Sequence, residues 1–136
     1  MTAGPGTLVP CMTDIKIPGL DHPITVEPTA RRVTVRLGGR VVAETENALT
    51  LREASYPPVQ YVPLSDVDAA ALEPSSHTSW CPYKGTATYY DLAAGDGAAP
   101  AAAWTYEKPH DAVAPIKDHV AFYPDRVDSI EVQTDA

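Results

Sequence analysis

The chain has 136 residues, of which 14 are proline and 8 are glycine, so we do not expect long helices. About 100–150 residues is the commonest size for one domain with one hydrophobic core, which excludes two full domains. Ten basic residues stand against 18 acidic ones, and the formal net charge of −8 repels phosphate backbones, so we expect no nucleic-acid partner.

The first part of the chain, residues 1–26, is rich in proline and glycine and has neither helix nor strand periodicity. We therefore expect an extended N-terminal arm followed by a single β domain over residues 27–136. Residues 1–11 lack the basic start and apolar core of a secretory signal, and we expect them to be dispensable for the fold. Met12 offers an alternative start. Because no secretory signal is recognisable, we expect a cytoplasmic protein. No apolar run reaches the roughly 18 residues of a membrane span, so we expect no membrane partner.

The first predicted strands form a hairpin. Apolar and polar residues alternate over 31–37, which is the period of a half-buried strand. Gly38-Gly39 predicts a two-residue turn, because both central positions of such a turn need positive φ. The return strand over 40–46 then places Val35 opposite Val42.

The same alternation over 49–53 places Leu49, Leu51 and Glu53 on one face of a strand. A strand that buries its leucines also points the Glu53 carboxylate inward, where it needs a partner. The expected partner is a basic residue such as Lys84 or one near Arg52 on the sheet. The carboxylate then belongs either to a salt bridge at the rim of the fold or to a site that faces a ligand.

The middle of the chain predicts one short helix and one tight turn. The helix covers residues 65–72, with Ser65 as its N-cap and Pro74 beyond its end. The turn is Cys81-Pro82-Tyr83-Lys84-Gly85, with Pro82 at its second position. Further short strands are predicted over 86–92, 102–107, 120–123 and 127–132. About seven short antiparallel strands and one short helix predict a mainly β fold, in a closed or a tent-like two-sheet arrangement.

The cysteines and histidines give little indication of a metal. Cys11 and Cys81 are the only two cysteines, and a reducing cytosol favours two free thiols. A site built from His77, Cys81, His110 and His119 is conceivable, but it has no Cys-x-x-Cys pair, the usual mark of structural zinc. We therefore expect no metal and no cofactor.

Aromatic and polar side chains concentrate between His77 and Tyr106. Rings with a polar tip suit the wall of a ligand pocket, and they also suit the core of a small β domain that has only one Phe. Our leading hypothesis is a small-molecule binding module, of unknown ligand and oligomeric state. Its predicted ligand-binding residues are Arg52, Glu53, Trp80, Tyr83, Lys84, Tyr89, Trp104 and Tyr106.

Two alternatives stay open. The first is an enzyme in which Cys81 is the nucleophile, Lys84 favours its thiolate form and His77 is the base. This mechanism requires the sulfur to lie within about 4 Å of a basic group. The second is a protein-interaction domain that uses an edge strand.

An ordered series of short motifs resembles one family. The motifs are Ile17-Pro18-Gly19, Asp21-His22-Pro23-Ile24, Leu51-Arg52-Glu53, Tyr56-Pro57-Pro58, Tyr61-Val62-Pro63, Asp66-Val67, Cys81-Pro82-Tyr83-Lys84-Gly85 with Ala87 and Tyr89, Trp104-Thr105-Tyr106 and Val120-Ala121-Phe122-Tyr123. Together they resemble the small bacterial and fungal proteins grouped as domain of unknown function four-twenty-seven.

The resemblance covers nearly the whole chain and implies an all-β fold similar to the β-tent group, whose members hold ligands, zinc or peptide termini between two sheets. The missing Cys-x-x-Cys pairs mean that zinc is not implied here. A nucleotidyltransferase label sometimes attached to the family finds no support, because no Gly-Ser turn precedes a pair of metal-binding acids. The resemblance implies a fold and no established activity.

Overall fold

The computed structural model describes Gly19 and residues 22–133. The described residues form ten strands: β1 (Ile24–Pro28), β2 (Val33–Leu37), β3 (Arg40–Thr45), β4 (Leu49–Glu53), β5 (Val59–Pro63), β6 (Leu72–Cys81), β7 (Gly85–Ala94), β8 (Gly97–Tyr106), β9 (His119–Phe122) and β10 (Ser129–Val132). Three 3-10 segments, Leu64–Asp66, Ala69–Ala71 and Asp111–Ile116, complete the regular structure. Within this part of the chain no helix is long and apolar enough to cross a membrane.

All strand pairs are antiparallel, and they build two sheets. The large sheet has seven strands in the order β1-β4-β5-β9-β8-β7-β6, and the small sheet has three in the order β10-β2-β3. Both sheets end in edge strands, so the described strands do not close into a barrel. The predicted mainly β fold class is confirmed, in its two-sheet form.

The central strands of the large sheet are buried on both faces. Along β9, Val120 and Phe122 belong to one hydrophobic cluster and Ala121 to another, as expected when successive side chains point to opposite faces. The first cluster also contains the buried apolar residues of β2 and β3, so it joins the two sheets. The second cluster lies on the other face of the large sheet, beneath the fully buried Val113 and Ile116 of the last 3-10 segment.

Strand β1 pairs with β4, and Ile24 is opposite Glu53. Strand pairing therefore extends three residues into the segment 1–26 that the sequence indicates as an arm. The expectation that residues 1–11 are dispensable concerns residues outside the described part of the chain.

The β2–β3 hairpin has the predicted turn and a different register. Gly38 and Gly39 have φ of +60° and +77°, as a two-residue turn of this type requires. A bulge then shifts the pairing, so that Val35 lies opposite Ala43. The predicted pairing of Val35 with Val42 was wrong because the extra residue lets Val42 and Ala43 both be buried in the first cluster.

The predicted helix over 65–72 is two separate 3-10 turns. Between them Val67 is extended, pairs with Ala43 in an isolated bridge and is buried in the first cluster. The second turn has Asp68 as its N-cap, and the Asp68 carboxylate accepts a hydrogen bond from the backbone N–H two residues on. The assignment of Ser65 as N-cap was wrong, because burial of Val67 interrupts the helical path.

The two sheets also meet through their turns. A Cβ added to Gly38 would overlap the carbonyl oxygen of Ala94, and one added to Gly95 would overlap the carbonyl oxygen of Gly38. The β2–β3 turn and the β7–β8 turn are therefore in backbone-to-backbone contact. Gly39 is different, because a Cβ there would meet nothing within 4 Å.

Candidate functional site

Three ionisable side chains meet on the face of the large sheet that carries the second cluster. The Glu53 carboxylate accepts a hydrogen bond of 2.6 Å from Lys84 Nζ, and its other oxygen lies 2.7 Å from His22 Nε2. The side chains of Glu53 and Lys84 are each 14% exposed, and that of His22 is 24% exposed. The structure thus places Glu53 inward and beside Lys84, as the alternation over 49–53 predicts. These three residues are termed the ionic cluster.

The turn from Cys81 to Gly85 positions Lys84. The backbone N–H of Lys84 donates to the Cys81 carbonyl oxygen at 3.2 Å, which makes a β-turn with Pro82 at its second position, as predicted. Gly85 leaves the turn with φ of +115°. The Lys84 carbonyl oxygen accepts a hydrogen bond from the backbone N–H of His110 at 3.0 Å. The turn is therefore fixed by proline, by glycine and by a neighbouring segment.

Strand pairing and ring stacking position His22. Because Ile24 lies opposite Glu53 in the register of β1 and β4, the residues just before Ile24 come close to the Glu53 end of β4. The His22 ring stacks on Tyr83, with ring centroids 3.9 Å apart and planes 8° from parallel. The imidazole is thus held between an aromatic ring and a carboxylate.

The ionic cluster keeps Glu53 ionised. Burial by itself would raise the pKa of Glu53, but the hydrogen bonds and positive charges of Lys84 and His22 outweigh burial and hold that pKa below its usual value of 4.5. At neutral pH the cluster is therefore an ion pair.

Two tyrosines lie close to the ionic cluster. Tyr61 and Tyr106 are 1% and 5% exposed, and Lys84 Nζ lies 5.8 Å from the centroid of the Tyr106 ring. Burial raises the pKa of both phenols well above the usual 10.0. Both hydroxyl groups stay protonated over the physiological range, so they can donate hydrogen bonds and do not act as bases.

Trp104 and Tyr123 extend this aromatic surface toward solvent. Trp104 Nε1 donates to the Tyr61 hydroxyl at 3.2 Å, and the Trp104 ring lies 4.5 Å from that of Tyr123. The Tyr89 ring is nearly parallel to that of Tyr123, with centroids 6.5 Å apart. Trp104 and Tyr123 are half-buried, whereas the other rings are almost fully covered. The rings of Tyr61, Tyr89, Trp104, Tyr106 and Tyr123 are termed the aromatic wall.

Two predicted site residues lie on the opposite face of the large sheet. Arg52 alternates with Glu53 along β4 and lines a separate cavity together with Thr50. Trp80 is opposite Thr86 in the sheet, and its ring makes an edge contact with that of His110 at 5.5 Å. The structure brings Glu53, Tyr83, Lys84, Tyr89, Trp104 and Tyr106 together and leaves Arg52 and Trp80 outside.

The proposed catalytic residues are engaged with different partners. Cys81 is a half-buried free thiol that packs against the second cluster. His77 contacts the Tyr89 ring at 4.5 Å, and the Lys84 ammonium is paired with Glu53. The nucleophilic role of Cys81 stays a prediction. Among the described residues, no group of three or more His, Cys, Asp or Glu side chains could hold a metal ion.

Sequence reasoning missed His22, Tyr61 and Tyr123 as members of the site. His22 falls in the segment that we expected to be an arm, so nothing tied it to β4. Tyr61 could have been identified from the sequence, because it lies directly before Val62-Pro63 in an extended segment. Side chains alternate along such a segment, so Tyr61 and Val62 point to opposite faces.

Residues 25–133 match the family model described as Domain of unknown function (DUF427). The match covers most of the chain and confirms the resemblance carried by the ordered motifs. A search of the curated proteins finds no match.

Proposed function

The chain belongs to the DUF427 family, whose description gives no function, and we propose from the geometry of the site that it is a small-molecule binding module. Its ligand is a planar organic molecule that carries an acidic or other hydrogen-bond-accepting group. The ionic cluster binds that group, and the aromatic wall binds the ring.

The observation that supports this proposal is the position of the ionic cluster beside the aromatic wall. A mostly buried ion pair stabilises a fold no better than an apolar pair of similar volume, so stability alone does not account for three ionisable groups here. The Lys84 ammonium has three N–H donors, and Glu53 accepts one of them. The remaining donors suit an acceptor group on a ligand.

The aromatic wall supports the second half of the proposal. Trp104 and Tyr123 are half-buried, and their rings lie 4.5 Å apart at an interplanar angle of 44°. Two adjacent, partly exposed rings offer apolar surface with polar tips, and side chains of this kind commonly line small-molecule sites.

The two tryptophans of the chain lie on opposite faces of the large sheet, which provides a matched experiment. In Trp80→Phe the only indole is that of Trp104, and we expect its fluorescence to change saturably on titration with benzoate, the simplest planar acid. Lys84→Met in this background should remove the change. Lys108→Met, at an exposed lysine on the face of Trp80, should leave it intact.

Native mass spectrometry of freshly purified protein tests the same proposal without a chosen probe. We expect an adduct that is lost in Trp104→Leu and kept in Trp80→Leu. A protein that carries no adduct, and whose Trp104 emission does not respond to benzoate, contradicts the proposal.

Labelling of Cys81 distinguishes the binding module from the enzyme. In a Cys11→Ser variant we expect slow reaction with iodoacetamide at neutral pH, because Lys84 and His77 are engaged with Glu53 and Tyr89. The unfolded chain gives the reference rate. Labelling faster than in the unfolded chain would favour the enzyme.

A further inference from the structure

A polar cavity of about 330 Å³ lies on the face of β4 opposite Glu53. Arg52 lines it from β4 and Glu27 from β1. We propose that this cavity binds a small zwitterion, an α-amino acid, with its carboxylate on Arg52 and its ammonium on Glu27.

The two charged side chains share the cavity without pairing. Arg52 is opposite Thr25 in the register, so Glu27 is its diagonal neighbour on the same face. Diagonal positions in an antiparallel pair are about 7–8 Å apart, within reach of long side chains. In the described part of the chain, neither Arg52 nor Glu27 forms an ion pair. A ligand that carries both charges can contact each of them.

The floor of the cavity is a ring of hydrogen bonds. Thr29 Oγ1 donates to Gln60 Oε1 at 2.6 Å, and Gln60 Nε2 donates to Thr50 Oγ1 at 3.1 Å. The hydroxyl groups of Thr29 and Thr50 are 2.8 Å apart, and a bond from Thr50 to Thr29 closes the ring. The Gln60 amide has a second N–H that the ring does not use, and this donor suits a carboxylate. The floor is thus ordered before a ligand binds, which lowers the cost of binding.

Apolar side chains form the remaining walls. Pro28, Pro58 and Val132 line the cavity, and Arg31 adds a second guanidinium to its lining. An amino acid with a branched apolar side chain suits these walls and fits within the cavity volume. L-Leucine is therefore the probe of choice.

Nuclear magnetic resonance of the full chain tests the proposal. On addition of L-leucine to about 20 mM, a range that covers weak millimolar binding, we expect saturable shifts of the Thr50 and Arg52 amide signals. The comparison ligands are 4-methylpentanoate, which is leucine without the ammonium, and isopentylamine, which is leucine without the carboxylate. Each should bind at least about tenfold more weakly, because one charge-assisted contact is lost.

Charge-removing variants complete the test. Arg52→Gln and Glu27→Gln should each weaken leucine binding at least about tenfold. Arg40→Gln and Glu44→Gln, at exposed positions of β3, are matched controls and should not change it.

The proposal is overturned if leucine causes no saturable shift. It is also overturned if 4-methylpentanoate binds as tightly as leucine, which indicates a plain anion site, or if isopentylamine does, which indicates a plain cation site. Lys84→Met should leave leucine binding unchanged. This result shows that the cavity is distinct from the site of the proposed function, which lies on the other face of the sheet.

Discussion

At Glu53 one carboxylate is the partner of two neighbouring basic side chains, Lys84 and His22. Removing a carboxylate from water is costly, and the hydrogen bonds from Lys84 and His22 outweigh that cost. Because the pair is neither fully buried nor fully exposed, its contribution to stability should fall between the two measured extremes for ion pairs.

Glu53→Gln should lower the free energy of unfolding by about 2 kcal/mol, between the value of under about 1 kcal/mol for exposed pairs and about 3–5 kcal/mol for buried ones. Urea denaturation at neutral pH measures this change. Glu46→Gln is the control, because Glu46 pairs with Arg32 at 3.5 Å and is 74% exposed. Its effect should stay under about 0.5 kcal/mol, and equal effects of the two variants would contradict the burial argument.

The lowered pKa of Glu53 also predicts how its contribution depends on pH. A carboxyl group whose pKa is lower in the folded state stabilises the fold above its unfolded pKa, and this contribution is lost as the pH falls through the folded pKa. The stability difference between wild type and Glu53→Gln should therefore be constant at neutral pH and shrink below the usual value of 4.5. Denaturation curves at stepwise lower pH give this difference. A stability difference that grows as the pH falls would contradict this prediction.

At the scale of elements, the contact between the β2–β3 and β7–β8 turns fixes how the two sheets are placed. Gly38→Ala should destabilise the protein by roughly 3–5 kcal/mol, since the new methyl group needs a backbone shift as well as a strained positive φ. Gly39→Ala has the same φ strain and free space, so it should cost only about 1–2 kcal/mol. Thermal or urea unfolding measures both losses of stability. Equal losses would show that the contact between the two turns does not stabilise the fold.

Sequence patterns predicted those elements that have one buried face or a distinctive turn. The leucines of β4, Gly38-Gly39 and the Pro82 turn each have a local cause, so they are present as expected. Strand β6 is not among the predicted strands, because its side chains are mostly exposed on both faces and no alternation of apolar and polar residues results. Its only signal is pairing with β7, which is invisible in a single segment.

The candidate site was predictable only in part, because pairing between distant strands leaves no pattern within a single segment. Alternation along β4 indicated that Glu53 points inward, and it equally turns Arg52 away. The partnership with His22 depends on β1 pairing with β4, and the membership of Tyr123 depends on where β9 lies in the sheet. These are long-range arrangements, which local patterns do not encode.

For the molecule as a whole, the sequence predicts that residues 1–11 add nothing to stability, because no apolar periodicity occurs there. Deletion of these residues should leave the melting temperature unchanged in scanning calorimetry. A fall of more than about 4 °C, roughly 1 kcal/mol for a domain of this size, would show that they pack against the fold.

The pairing of β2 with β10 has a consequence for how the protein is made. Arg36 and Glu131 are joined by an ion pair although 95 positions separate them along the chain. Ribosomes add about 5–20 residues per second, so β2 is synthesised roughly 5–20 seconds before its neighbour β10. During that interval the backbone hydrogen-bonding groups on one edge of the β2–β3 hairpin have no strand to pair with, so the small sheet is completed only after residues 129–132 have been made.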